Sequence, residues 1–375
     1  MIQNKYAQLS ILSILHFLVD FICVGWVIFW CKAIYEEDIN FFLLFNYCCF
    51  AFLSQPFFGN YVDKLLERKN KDISKSILLI SASLIFIGFA ILSIVNPDAF
   101  YPRFPVIFIG VAFLGLGNSL FHVIGGKLTL SMSSKATFGG IFVSTGAIGV
   151  GLGTGIVYFT YTPTVTFSLA PFMYALGCLL MCFLIKDDKA NVSIITQKDV
   201  PSFNKEVVIS IIVLCLAILV RSFLGSYVIL VESDANIEKY EIAIFIGIST
   251  FVGKALGGFL YDCFGPIVLV SFSTVVTTLL GVFLPSIGFG ICFVIAFNLL
   301  MPLTLHEIRK YFPNKEGFAF GLTAALLIPG YLLGTYLKSN GFHFVLVPLI
   351  CFLTGILLLV MYLYRKHKKV NEGHN

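Results

Sequence analysis

Apolar runs of the length needed to cross a bilayer recur along the whole 375-residue chain, and this recurrence leaves few folds open. A helix rising about 1.5 Å per residue needs roughly 20 residues to span the hydrocarbon layer. Twelve such segments are read at 7–31, 39–62, 76–96, 105–131, 138–161, 166–186, 206–232, 241–262, 266–286, 287–306, 317–337 and 341–364. Charged residues make up 12% of the chain, against about a quarter in a soluble domain. The expected fold class is therefore an all-α membrane protein of twelve transmembrane helices.

The formal charge of +5 is spread in a way that excludes a nucleic-acid partner. Basic residues gather in alternate connections and at both ends: Lys64, Arg68, Lys69, Lys135, Lys189, Lys198, Arg309, Lys310 and Arg365 are among them, while the other connections carry only Lys32, Arg103, Lys239 and Lys338. By the positive-inside rule both termini are expected in the cytoplasm. The one long polar connection, 187–205 with Pro201, divides an N-terminal six-helix bundle, 1–186, from a C-terminal one, 206–375.

The ten cysteines sit almost entirely inside apolar runs and form no CxxC or Cys/His ligand spacing, so neither a metal nor another cofactor is expected. No phosphate-binding loop, H-E-x-x-H or strand-borne G-x-S-x-G occurs, and the chain is not expected to be an enzyme.

The first segment carries His16 and Asp20 near its centre, within Ser13–Trp30. A carboxylate at that depth costs a few kcal/mol on insertion scales, about 2.5–3.5, and needs a cavity or a partner. Laying Val19 to Ile28 over Val220 to Ile229 matches Trp26 with Tyr227 and sets Asp20 opposite Arg221. The expectation is that Asp20 and Arg221 face each other, or a shared solute, across the interface of two repeats.

The repeat extends to other segments. Gly59 and Asp63 match Gly258 and Asp262, Gln55 falls opposite Lys254, and Asn118 falls opposite Asn298. Gly149 and Gly153 match Gly330 and Gly334, each pair one turn apart in the pattern that lets membrane helices approach closely.

The stretch Gly59-Asn60-Tyr61-Val62-Asp63-Lys64-Leu65-Leu66-Glu67-Arg68-Lys69 resembles the G-x-x-x-D-(R/K)-x-G-(R/K)-(R/K) loop of the major facilitator superfamily. Its second copy keeps Gly258, Asp262 and Gly265; the first departs with Leu66 in place of glycine and Glu67 in place of a base. Gly117 to Gly126 is similar to the fourth segment of fosmidomycin-resistance transporters. The resemblance implies two bundles around a cavity lined by segments 1, 4, 7 and 10. Segments 3, 6, 9 and 12, which it places outside, carry no mid-membrane charge.

The resulting expectation is a secondary transporter in a bacterial cytoplasmic membrane. It would act as a monomer and move a small anionic or zwitterionic solute by alternating access. Coupling to protons would pass through Asp20, His16 and His122, with export favoured, and organic-anion uptake or a non-transporting receptor as alternatives. Arg221 and Lys254 would contact the solute anion, with Asn118, Asn298, Gln55, Trp26 and Tyr227 lining the cavity. Gly59, Asp63, Gly258 and Asp262 would form the conformational loop motif. Each residue has a plainer reading beside this one. Asp20 with Arg221 or Lys254 would be a structural ion pair, Asn118 and Asn298 interhelical hydrogen-bond donors, and Trp26 and Tyr227 anchors at the bilayer interface. Lys127, nearer the end of its segment, is expected to snorkel.

Overall fold

The computed structural model describes residues 5–33, 37–68, 72–95, 100–160, 165–185, 204–228, 238–284, 287–339 and 345–372. The helices are α1 (Lys5–Ala33), α2 (Glu37–Cys48), α3 (Gln55–Arg68), α4 (Asp72–Ser93), α5 (Phe100–Met132), α6 (Ala136–Thr160), α7 (Val165–Leu184), α8 (Lys205–Val228), α9 (Lys239–Gly281), α10 (Ile287–Asn298), α11 (Leu300–Tyr311), α12 (Glu316–Ala325), α13 (Leu327–Ser339) and α14 (Leu346–Glu372). No strand occurs among the described residues. The expected connection 187–205 falls almost wholly outside them.

Ten helical stretches among the described residues are long and apolar enough to cross a membrane, and Ser168–Leu184 is a shorter apolar helix. The 43-residue α9 is straddled by the expected eighth and ninth segments; Gly265, at φ 77°, breaks its helical course ahead of Pro266. That left-handed conformation suits glycine, which has no Cβ to clash.

Three segments drawn as continuous are interrupted, each just before a proline. Pro56 has no N–H and crowds the carbonyl four residues earlier, and the chain widens into a π turn at Cys49–Leu53 between α2 and α3, where the Ser54 N–H donates to Cys49 O at 3.1 Å. Pro302 lies just beyond the α10–α11 break and Pro329 just beyond the α12–α13 break.

Helices α1–α7 share one apolar core, into which Met301, Leu305, Phe320 and Ile328 of the later half project. Residues between Val213 and Tyr362 build two further clusters. The outer faces of α4, α7, the later part of α9 and α14 expose Ile80, Phe183, Val275 and Val360. Such faces are stable against hydrocarbon, where all backbone polar groups are satisfied within the helix.

Glycines set the close approaches. A Cβ at Gly149 would collide with Phe17 O and one at Gly330 with Leu219 O; at Gly153 and Gly334 it would press on Phe21 O and Phe223 O at 2.7 and 2.6 Å. The expected glycine strips thus seat α1 on α6 and α8 on α13.

These contacts also fix the register of the repeat. Phe17 corresponds to Leu219 and Phe21 to Phe223, so Val19 corresponds to Arg221 and Asp20 to Ser222. The polar contacts agree: Asp20 sits over Gly146, while the Ser222 hydroxyl donates to Leu327 O. The expected match of Asp20 with Arg221 is one residue out. On a helix of 3.6 residues per turn that error rotates a side chain by about 100°, enough to move it to another face.

Candidate functional site

Two polar centres organise the molecule: a buried cluster around Asp20, and a pair of aspartate caps at the end carrying the loop motifs. His16 and Asp20 are one turn apart on α1, and Asn118 and His122 one turn apart on α5, so the two helices present facing pairs. Asp20 Oδ2 lies 3.3 Å from His16 Nε2, and Asp20 Oδ1 lies 3.6 Å from His122 Nε2. The Asn118 amide donates to Asp20 Oδ1 at 3.0 Å. All four side chains are buried. Gly146 makes the arrangement possible, because a Cβ there would collide with Asp20 Oδ2 and lie 2.5 Å from His16 Nε2.

The imidazoles are held in defined tautomers. His16 Nδ1 is 2.7 Å from Phe142 O and His122 Nδ1 is 2.9 Å from Asn118 O. A carbonyl oxygen only accepts, so both Nδ1 atoms carry hydrogen. Two neutral rings in that state would then direct bare Nε2 lone pairs at each other across 2.8 Å. That separation suits a hydrogen bond, and the bond requires a proton on one of the two nitrogens. A proton placed between the rings would make the pair an imidazolium, and the Asp20 carboxylate stands beside both rings as a counter-charge.

His16, Asp20 and His122 are also a metal-ligand donor set, their ligating atoms lying within 4.8 Å of one another. Two nitrogens at about 2.0–2.1 Å from a tetrahedral zinc would stand roughly 3.3 Å apart. The observed 2.8 Å is too short for that edge and fits an N–H···N bridge.

Aromatic rings close the cluster. Phe142 lies tilted by 34° against His16 at 4.4 Å between centroids, Phe121 lies 6.1 Å from it, and Phe52 lies 6.4 Å from His122. Phe320, on α12 in the other half, lies 6.3 Å from His122 and presses against Gly126.

The other expected residues disperse. Arg221 is buried, makes no ion pair among the described residues, and leaves Nη1 without a hydrogen bond. Asp20 takes His16, His122 and Asn118 as partners, which corrects the expectation of an Asp20–Arg221 pair. Lys254 donates to Val143 O at 3.4 Å and lies within electrostatic reach of both Arg221 and Asp20. Gln55 is fully buried at the π turn and donates to Ala51 O at 2.7 Å. Asn298 donates to Val294 O in its own helix at 2.9 Å, unlike its repeat mate Asn118. Trp26 is 4% exposed and packs edge-on against Phe29 and Phe89, so it belongs to the core rather than to an interface belt or a cavity wall. The side chain of Tyr227 lies outside the described residues.

The loop motif forms two caps, each joining one half to the other. Asp63 accepts from the N–H groups of Gly317 and Phe318 at 3.2 and 2.8 Å, at the start of α12. Asp262 accepts from the N–H groups of Ala136 and Thr137, both at 2.9 Å, at the start of α6. A carboxylate there satisfies orphan helix N–H groups and meets the positive end of the helix dipole. Gly59 and Gly258 lie against Gly317 O and Ala136 O. Lys127 does not snorkel: it bonds Asp63 at 2.6 Å and reaches Glu316 at 3.5 Å, because both acids stand within its length.

A family model of the Major Facilitator Superfamily matches residues 9–335. The chain belongs to that superfamily. No curated protein matches it. Among solved structures it is similar to the superfamily transporter FucP in the outward conformation (TM-score 0.71, 12% identity, 95% of this chain and 98% of that one). It is also similar to a variant of the E. coli fucose:proton symporter FucP (0.67, 13%, 96% and 99%) and to a bacterial homologue of the iron transporter ferroportin in an outward-facing state (0.65, 13%, 95% and 98%). At these identities the likeness carries the fold. This superfamily member is a multi-pass membrane protein and a transporter rather than an enzyme.

Proposed function

We propose that the chain is a proton-coupled secondary transporter in which His16, His122 and Asp20 hold the coupling proton. The observation that carries this reading is the 2.8 Å approach of two Nε2 atoms whose Nδ1 hydrogens are both committed to carbonyls. A proton between the rings, balanced by Asp20, leaves the cluster neutral and stable in a dry interior; removing it leaves facing lone pairs beside an uncompensated carboxylate. The cluster is therefore bistable in shape as well as charge, which is what coupling requires.

Phe320 supports access from one side at a time. It reaches from α12 to the floor of the cluster, and it moves with the half that Asp63 ties down. Rocking of the halves that parts the caps also withdraws this ring.

The solute is a small organic anion or zwitterion, supported by Lys254 and Arg221, neither of which has an ion-pair partner among the described residues. Export in exchange for protons is the favoured direction, with uptake by symport the alternative on the same proton site. Two six-helix bundles, 1–186 and 206–375, with cytoplasmic termini and a monomeric unit complete the reading.

The test is flux in proteoliposomes under imposed pH gradients, with a panel of carboxylates, phosphonates and amino acids. Wild-type flux follows the gradient, whose effective direction separates antiport from symport. Asp20→Asn loses the gradient response while remaining folded. Unchanged gradient-driven flux in Asp20→Asn would sink the proposal.

A further inference from the structure

The C-terminal half holds a cavity of about 40 Å³ among α8, the later part of α9, α10, α11 and α14, and Arg221 is its one basic lining residue. The remaining lining is apolar apart from hydroxyl groups, among them Ser273, Thr274, Thr277 and Thr304. Arg221 is 9% exposed, with Nη1 unbonded, and no Asp or Glu lines the space. A guanidinium stays charged at any ordinary pH and presents five donors in a fixed fork, so burial without an acceptor leaves both charge and donors uncompensated. As the counterpart of Val19, Arg221 turns into its own bundle, away from Asp20.

We propose that this cavity is a binding site for one small monovalent anion, a halide or a carboxylate group, held by the Arg221 guanidinium. The size is appropriate. A cavity needs about 10–15 Å³ to take one water, so 40 Å³ accepts two or three waters or a single compact anion. The hydroxyls can assist. Ser273 donates to Ala296 O at 2.8 Å, Thr274 to Val270 O at 2.7 Å and Thr304 to Met301 O at 2.9 Å. The Val270 carbonyl already lies in a helix ladder, so the Thr274 O–H can rotate toward an anion without orphaning it. Lys254 adds positive potential from the interface side, within electrostatic reach of Arg221.

The site deepens the anionic-solute reading, since a carboxylate bound here would be the solute's own head group, whereas a halide would be a structural or regulatory ion. It is independent of the proton cluster, which is tested by gradient response rather than by anion binding.

The experiment is thermal unfolding of the purified full chain at constant ionic strength, with sodium gluconate replaced stepwise by chloride, bromide or formate. The expected result is a saturable rise in melting temperature with at least one of the three. A response to chloride and bromide alone identifies a halide site, and a response to formate alone a carboxylate site. Arg221→Gln abolishes the dependence, and Arg221→Lys, which keeps charge but loses the fork, shifts the half-saturating concentration upward about tenfold or more. Bromide located in the cavity by anomalous scattering would place the ion directly. The proposal is overturned if none of the three anions changes the melting temperature, which would leave the space to water, or if Arg221→Gln and Arg221→Lys both respond as wild type does.

Discussion

Replacing Asp63 with asparagine removes a charge while keeping an oxygen that can still cap α12. Lys127 Nζ stands 2.6 Å from Asp63 Oδ1, with side-chain exposures of 15% and 1%. Breaking a fully buried ion pair from one side costs about 3–5 kcal/mol; discounted for the partial exposure of Lys127 and for Glu316 as a second partner, about 2–3 kcal/mol remains. Lys127 stands in the same half as Asp63, so that cost falls on both states; what separates them is the carboxylate charge at the N-terminus of α12, worth about 1–2 kcal/mol in a partly buried setting, and the closed-to-open ratio falls roughly 5- to 30-fold at about 1.4 kcal/mol per decade. Spin labels at Lys64 and Lys315, both exposed on either side of the cap, report the separation by pulsed dipolar spectroscopy. Asp63→Asn should add a longer-distance population. Lys127→Gln should do likewise, and the double variant should show much less than the sum of the two. Distance distributions superimposable on wild type in both single variants would refute the latch.

Gly146→Ala and Gly149→Ala, a turn apart, should behave differently: the first methyl meets the Asp20 and His16 side chains, the second a backbone carbonyl. Gly149→Ala should lower the melting temperature more, by overpacking worth about 1–3 kcal/mol, whereas Gly146→Ala should lose the pH-gradient response at smaller thermal cost. Glu307 accepts hydrogen bonds from Tyr261, Lys310 and Arg365, tying α9, α11 and α14. Glu307→Gln should cost about 1–3 kcal/mol by thermal unfolding and leave gradient-driven flux coupled, since it lies outside the proton cluster. Phe320→Ala should open a proton leak across vesicles without added solute, and a tight membrane in that variant would count against a sealing role.

Much of this architecture was legible in the chain itself. Segment length and apolarity follow from bilayer thickness, and the glycine strips at 149/153 and 330/334 pack as their spacing implies. The motif aspartates take one of the roles open to an acid at a helix end, capping a neighbour. What stayed hidden depends on angles that spacing does not carry. Aligning the halves through Trp26 and Tyr227 set Arg221 one residue off, and one residue is about 100° of helix. His16 and His122 were each identifiable as titratable, yet the proposal that they share a proton rests on the Phe142 and Asn118 carbonyls, whose positions no pattern announces. Trp26 looked like an anchor by type and is a core residue by packing. The π turn before Pro56 had a signal in the proline alone.

The proposed proton bridge is open to direct observation by ¹⁵N magnetic resonance of histidine-labelled protein in bilayers. The account predicts hydrogen on Nδ1 of both His16 and His122 and one proton shared between their Nε2 atoms, with that shared signal lost in Asp20→Asn. A bare Nδ1 on either ring, or a pair of signals indifferent to Asp20→Asn, would contradict it.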